Sequence, residues 1–232
     1  TGDRIEIIDQ TRLPGEFTLL ELASVDDVVD AIYRLAVRGA PAIGACGALG
    51  MVVGLDERRP RDSSSARTAL AELAAVLGSA RPPAVNLQRA VDRVRDVAAL
   101  GESPSEARAL ALTEALKINA EYREACTRIG EAGRAELAGL TNILTHCNTG
   151  RLATAGWGTA LGVIYAKAAA GESVQVLSSE TRPLLQGARL TTWELLDAGI
   201  DVTLMPDGAD AAAMAQGKVE AVIVGADRIA AN

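Results

Sequence analysis

Hydrophobic and polar positions along the 232-residue chain change rhythm near residue 139. Before it, apolar residues mostly recur at spacings of three and four, the period of a helix buried on one face. Val25, Val28, Val29, Ile32 and Leu35 follow this spacing. Ser24 precedes them as an N-cap, and Asp26 and Asp27 fall in the first turn, where the helix dipole favours negative charge. The pattern predicts that this helix stops at Arg38-Gly39, glycine supplying the C-terminal turn. Pro41 suits the first turn of a second helix, because its missing N–H would be unpaired there anyway. That helix is built of small residues, AIGACGALGMVVG. Each glycine costs up to ~1 kcal/mol against alanine, so the composition predicts close packing of another backbone. Further helices are predicted at about 66–77, 84–99 and 104–138, separated by Pro82-Pro83 and by Gly101 to Pro104. The charged, serine-rich stretch from Arg58 to Ser65 reads as a mobile loop. Ahead of all these, RIEIID and EFTLLEL read as short strands around a turn at Leu13-Pro14-Gly15.

After residue 139, apolar β-rich runs appear at NILTH (142–146), SVQVLSS (173–179), DVTLM (201–205) and EAVIVGA (220–226). They alternate with helical segments at about 154–171, 189–199 and 208–217. Alternation of continuous apolar strands with helices predicts a parallel sheet covered on both faces. The expected architecture is therefore α/β. Residues 1–138 form a mainly helical N-terminal domain with short strands at its start, and residues 139–232 a parallel-sheet domain.

Ligands of open parallel sheets sit outside the carboxyl ends of the strands. Cys147, Asn148, Thr149 and Gly150 follow the first strand. Glu180, Thr181, Arg182 and Gln186 follow the second, Asp207 the third and Asp227 the fourth. The Gly-rich stretch from 142 to 162 reads as an anion cradle with one thiol beside it, since glycine permits close backbone approach and a helix N-terminus favours an anion. It is neither a dinucleotide fingerprint nor a Walker loop. Each residue alone also has a structural reading. Cys147 could be a small buried hydrophobe, Asp227 a helix cap, and Arg38-Gly39-Ala40-Pro41 a corner between helices. His146 neighbours Cys147, but adjacent strand residues point to opposite faces, which argues against a Cys–His pair.

Composition narrows the classes. A net charge of −7 argues against a broad nucleic-acid or anionic-membrane surface, and 3% aromatics against stacking platforms for single strands. Cys46, Cys126 and Cys147 lack a C-x-x-C pair, and His146 is the sole histidine. That disfavours a disulfide framework or a zinc site and favours a reducing, cytoplasmic compartment. The N-terminus resembles no signal or transit peptide, and no run of about 18 apolar residues suggests a membrane span.

Six stretches together resemble the methylthioribose-1-phosphate isomerase family: IDQTRLP (8–14), AVRGAPAIG (36–44), ARPPAVNL (80–87), THCNTGRLAT (145–154), ETRPLLQGARLT (180–191) and VGADRIAAN (224–232). They lie in the family's order across nearly the whole chain. The wider superfamily includes ribose-1,5-bisphosphate isomerase and regulatory subunits of a translation-initiation exchange factor. The resemblance implies a Rossmann-like second domain, a homodimer, no metal or organic cofactor, and an aldose–ketose isomerase of methionine salvage. Its substrate would be 5-methylthioribose 1-phosphate and its product 5-methylthioribulose 1-phosphate. By the family pattern Cys147 and Asp227 are catalytic, and Arg38, Gly39, Ala40, Arg81 and Gln186 bind substrate.

The phosphate on the anomeric carbon prevents simple ring opening, so an acid must protonate the ring oxygen. Asp227 is the candidate, and a dry pocket would help it hold a proton near neutral pH. Hydrogen then moves from C2 to C1, as a proton with Cys147 as base or as a hydride with Cys147 as a polar neighbour. Arg38 and Arg81 suit the phosphate through charge-assisted bonds. The family continues beyond the last residue, Asn232, with an Asn-Lys pair that contacts substrate and then further strands and helices. The expectation is thus a sheet domain incomplete at its C-terminus, in a fragment or a truncated relative. Related phosphopentoses (5-deoxyribose 1-phosphate or ribose 1,5-bisphosphate) are alternative substrates. A non-catalytic sugar-phosphate or nucleotide-binding regulator is the alternative class.

Overall fold

A computed structural model describes residues 4–82, 84–226 and 229–231. The chain divides into two compact units. One comprises residues 1–12 and 17–122, the other residues 13–16 and 123–232.

In the helical unit, β1 (Ile5–Ile8) and β2 (Leu19–Leu22) pair antiparallel. Helix α1 (Val25–Tyr33) starts as its sequence predicts. Ser24 Oγ accepts from the Asp27 N–H, and the Asp27 carboxylate accepts from the Ser24 N–H. This reciprocal cap satisfies two otherwise unpaired donors. The helix ends at Tyr33, earlier than the expected Arg38-Gly39, because Leu35 turns into the left-handed region at φ 67°. Val37 N–H then bonds back to Ala31 O.

Helix α2 (Ala40–Arg58) carries Pro41 in its first turn, as expected. Side chains rather than a second backbone fill most of its small-residue surface. A β-carbon on Gly47 would collide with Leu87 and Val91, and one on Gly54 with Leu73 and Val25. Only at Gly44 does a main-chain atom come close, the carbonyl of Asn86. By length and composition α2 could cross a membrane, but it is mostly buried inside this unit.

The stretch expected to be a mobile loop is instead a tight connection. Helix α3 (Ser63–Gly78) begins within it, capped by the Asp62 carboxylate on the Ser65 N–H at 2.7 Å. Helices α4 (Val85–Ala98) and α5 (Pro104–Glu136) match their predicted positions. Residues of α5 up to Tyr122 belong to the helical unit and those from Arg123 to the sheet unit.

The sheet unit holds four parallel strands: β3 (Asn142–Thr145), β4 (Gln175–Ser179), β5 (Asp201–Met205) and β6 (Ala221–Ile223). Their order is β5-β4-β3-β6. The chain builds outward from β3 to β4 and β5, then crosses to the other side of β3. This reversal, between β3 and β6, is where open α/β sheets form a ligand crevice. Helices α6 (Ala160–Ala169), α7 (Thr192–Asp197) and α8 (Asp210–Ala215) connect the strands. Ile143 and Val176 from the strands bury against Leu161, Ile164 and Leu195 from the helices.

Candidate active site

The crevice rim is formed by the segments after β3, β4 and β6. Cys147 follows β3 and is partly buried. Its backbone is left-handed, φ 68°, which costs a residue with a β-carbon roughly 1–2 kcal/mol. Three partners hold it there. Thr181 Oγ1 accepts the Cys147 N–H at 2.8 Å. Thr191 Oγ1 donates to the Cys147 carbonyl at 2.6 Å. Gln186 Nε2 donates to Sγ at 3.3 Å. His146 is exposed, and Gln186 is the group hydrogen-bonded to the sulfur, in keeping with the argument against a Cys–His pair.

The segment carrying these partners is itself strained. Thr181 and Leu185 are left-handed at φ 59° and 58°, and residues Gly187–Thr191 form a wide helical turn. Asp207, after β5, fixes its start: its two carboxylate oxygens accept the N–H groups of Thr181 and Arg182, both at 2.8 Å. The Arg182 and Thr181 N–H bonds, with the nearby His146, hold the Asp207 carboxyl below the usual carboxylate range.

The Gly-rich stretch does cradle an acidic group, but one that belongs to the chain. The Glu194 carboxylate is fully buried. It accepts from Arg151 N–H at 2.6 Å, Leu152 N–H at 3.4 Å, Asn148 Nδ2 at 2.8 Å and Tyr165 Oη at 3.2 Å. Burial pushes its pKa up, and these four donors oppose that shift. A β-carbon at Gly150 would collide with this carboxylate, so glycine is required there. Helix α6 starts at Ala160, later than the expected 154, and Cys147 is not at its N-terminus. Thr149 occupies that end, its Oγ1 accepting the Leu161 N–H at 3.3 Å. Sequence reasoning missed Glu194, which lies in an ordinary-looking helical stretch, TTWELLDAG.

The loop after β6 reaches the same place. A β-carbon on Gly225 would meet Thr149 Cγ2 at 2.6 Å. Asp227, two residues on, lies outside the described residues. The structure thus brings Cys147 and Gln186 into contact, while Arg38, Gly39, Ala40 and Arg81 belong to the helical unit. There Gly39 precedes α2 at φ 95°, and Arg81 sits in the turn before α4. Gly44 of α2 faces Asn86 of α4, and Gly47 faces Leu87 and Val91. The two helices therefore start at the same end, and Arg38 and Arg81 precede those starts. Helix N-termini and arginines both favour an anion. Among the described residues no cluster of His, Cys, Asp and Glu could hold a metal ion.

Comparison with known proteins matches residues 36–232 to the model of the Initiation factor 2 subunit family. The chain belongs to this family. A methylthioribose-1-phosphate isomerase from Desulforudis audaxviator is 51% identical over 99% of this chain and 66% of its own length. A 5-deoxyribose 1-phosphate isomerase from Moorella thermoacetica is 50% identical over 99% of this chain and 66% of its own. The crystal structure of 5-methylthioribose 1-phosphate isomerase from Pyrococcus horikoshii OT3 superposes with a TM-score of 0.93 at 38% identity, covering 100% of this chain and 65% of that one. The chain thus spans about two thirds of the length of these relatives.

Proposed function

We propose that this family member is an aldose–ketose isomerase converting 5-methylthioribose 1-phosphate to 5-methylthioribulose 1-phosphate in methionine salvage. The observation that carries the reading is a thiol held left-handed at the sheet's reversal point, with a glutamine amide on its sulfur. The name of the 51% identical relative from Desulforudis audaxviator points the same way.

In this mechanism Asp227 protonates the ring oxygen and the C1–O ring bond opens. Hydrogen leaves C2 for C1, and as the ketone forms the C2 hydroxyl proton passes to the Asp227 carboxylate, restoring the acid. Atoms and electrons balance within the substrate, so the step calls for no external oxidant or cofactor. Cys147 stands beside C2, as base for a proton or as a polar neighbour of a hydride. Arg38 and Arg81, with the amides at Gly39 and Ala40, take the phosphate. Gln186 Oε1 is buried with no hydrogen-bond partner, and a sugar hydroxyl is a donor that would satisfy it. A cytoplasmic homodimer belongs to the same proposal.

The 50% identical relative named for 5-deoxyribose 1-phosphate favours that sugar as the second substrate reading. The family's name favours a non-catalytic regulator as the second class. The test assays the complete gene product on 5-methylthioribose 1-phosphate, 5-deoxyribose 1-phosphate and ribose 1,5-bisphosphate. The first should turn over with the highest kcat/KM. Asp227→Asn should lower kcat by about 10²–10⁴, the usual worth of a general acid, with binding retained by calorimetry. Sugar-phosphate binding without turnover on any of the three would establish the regulator instead.

A further inference from the structure

We propose that Thr191 and Thr181 are positioning residues for the Cys147 thiol, their hydroxyls clamping the two ends of its left-handed peptide. The inference rests on the proposed role of Cys147 in the isomerase. Each hydroxyl has one proton, and its partners fix where that proton points. Thr181 Oγ1 accepts from Cys147 N–H at 2.8 Å, so its own proton goes to Ser179 O at 3.2 Å. Thr191 Oγ1 accepts from Asn148 Nδ2 at 3.3 Å, so its proton goes to Cys147 O at 2.6 Å. Both threonines are buried, where water competes little for these bonds.

Each is anchored in turn by a carboxylate. Asp207 accepts the Thr181 N–H at 2.8 Å. Glu194 Oε1 accepts Asn148 Nδ2 at 2.8 Å and so orients the amide that meets Thr191. Left-handed backbone is disfavoured for a residue with a β-carbon, so Cys147 relaxes out of it when either hydroxyl is lost. Relaxation swings Sγ off Gln186 and away from the crevice. A displacement of about 1 Å at a reacting group can cost roughly 10²-fold in rate.

The test uses Thr191→Val, which keeps the shape and removes the O–H, and Thr191→Ser, which keeps the O–H. In the complete gene product Thr191→Val should lower kcat about tenfold or more with KM within about twofold, and Thr191→Ser should restore kcat; one hydrogen bond of ordinary net strength is worth roughly five- to tenfold. Amide exchange at Cys147, measured without any sugar phosphate, gives a readout independent of turnover. That amide should be protected in the native protein and exchange about tenfold faster in Thr191→Val, the exchange at Leu144 in β3 staying unchanged. Absence of turnover in the native protein with this exchange pattern intact would overturn the isomerase and leave the clamp. Native-like kcat and Cys147 exchange in Thr191→Val would overturn the clamp. If that variant does not fold, the native protein decides alone: protection of the Cys147 amide comparable to Leu144 supports the clamp, and free exchange overturns it.

Discussion

The two units bury different things. The helical unit closes around one apolar cluster from α1 to α5 and the first strand pair, with Val28, Ile32, Met51, Leu70, Leu73 and Leu87 almost fully buried. Among the described residues thirteen polar or charged ones are buried, and ten of them belong to the sheet unit. Of the three in the helical unit, Asp9 and Glu114 each meet an arginine, Arg34 and Arg93. In the sheet unit Thr181, Thr191, Asn148 and Glu194 form a linked network around Cys147, while Lys167 pairs apart from it with Glu172. Removing one partner leaves another buried polar group unpaired, so such a network tolerates change poorly. The helical unit is held mainly by apolar packing, while the sheet unit adds donor–acceptor matching to an apolar core of its own. The candidate chemistry sits in the second.

The largest expected effect is at Glu194. Glu194→Leu removes a buried acceptor from the Asn148 amide, two backbone N–H groups and the Tyr165 hydroxyl, each lost bond costing about 1–3 kcal/mol. A loss of about 4 kcal/mol or more should appear in denaturant melts followed by fluorescence, because Trp157 and Trp193 both belong to the sheet unit. A loss under about 1 kcal/mol would show that Glu194 is not the hub.

Leu87→Ala comes next. It opens a cavity against Gly47 and should cost about 3 kcal/mol, read by far-ultraviolet circular dichroism of the helices. If the tryptophan signal moves with it to the same midpoint, the two units unfold as one and the contrast lies in composition alone.

The smallest effect concerns acid. The folded Asp207 pKa is depressed, so its stabilisation is present above the ordinary carboxylate value and is lost as pH falls through the folded value. Glu194 carries the opposite sign: its raised pKa favours the fold in acid and opposes it as pH rises through the folded value. Lowering pH from about 6 to about 3 should therefore loosen the 181–182 turn while the Glu194 cradle holds. Amide exchange at Thr181 and Arg182, corrected for intrinsic rates, should accelerate more than at Arg151 and Leu152. Equal acceleration at both would remove the distinction between the two carboxylates.

Local signals in the sequence carried much of the architecture. The Ser24 and Asp27 cap, Pro41 at the start of α2, the long helix from Pro104 and the four apolar strands all appear where period and capping place them. These features depend on neighbours within one or two turns, which a single sequence displays. Errors arose where a local rule met a tertiary one. Leu35 continues the helical spacing, yet leaves the helix for a left-handed turn. Arg58 to Ser65 has loop composition, yet Asp62 and Ser65 make it a helix start.

The candidate site divides along the same line. The sequence by itself determined that a thiol, small hydroxyls and glycines follow the first strand of a parallel sheet, because strand–helix alternation fixes which loops lie at the carboxyl ends. It also carried the motifs that mark the family. Only the tertiary structure decided which acidic group the Gly-rich stretch holds, because Glu194 reaches Arg151 from more than forty positions away. Only it decided that Cys147 is left-handed and gripped by Thr181 and Thr191. Period and composition report how each residue meets water; they carry no record of which distant donor finds which acceptor once water is excluded.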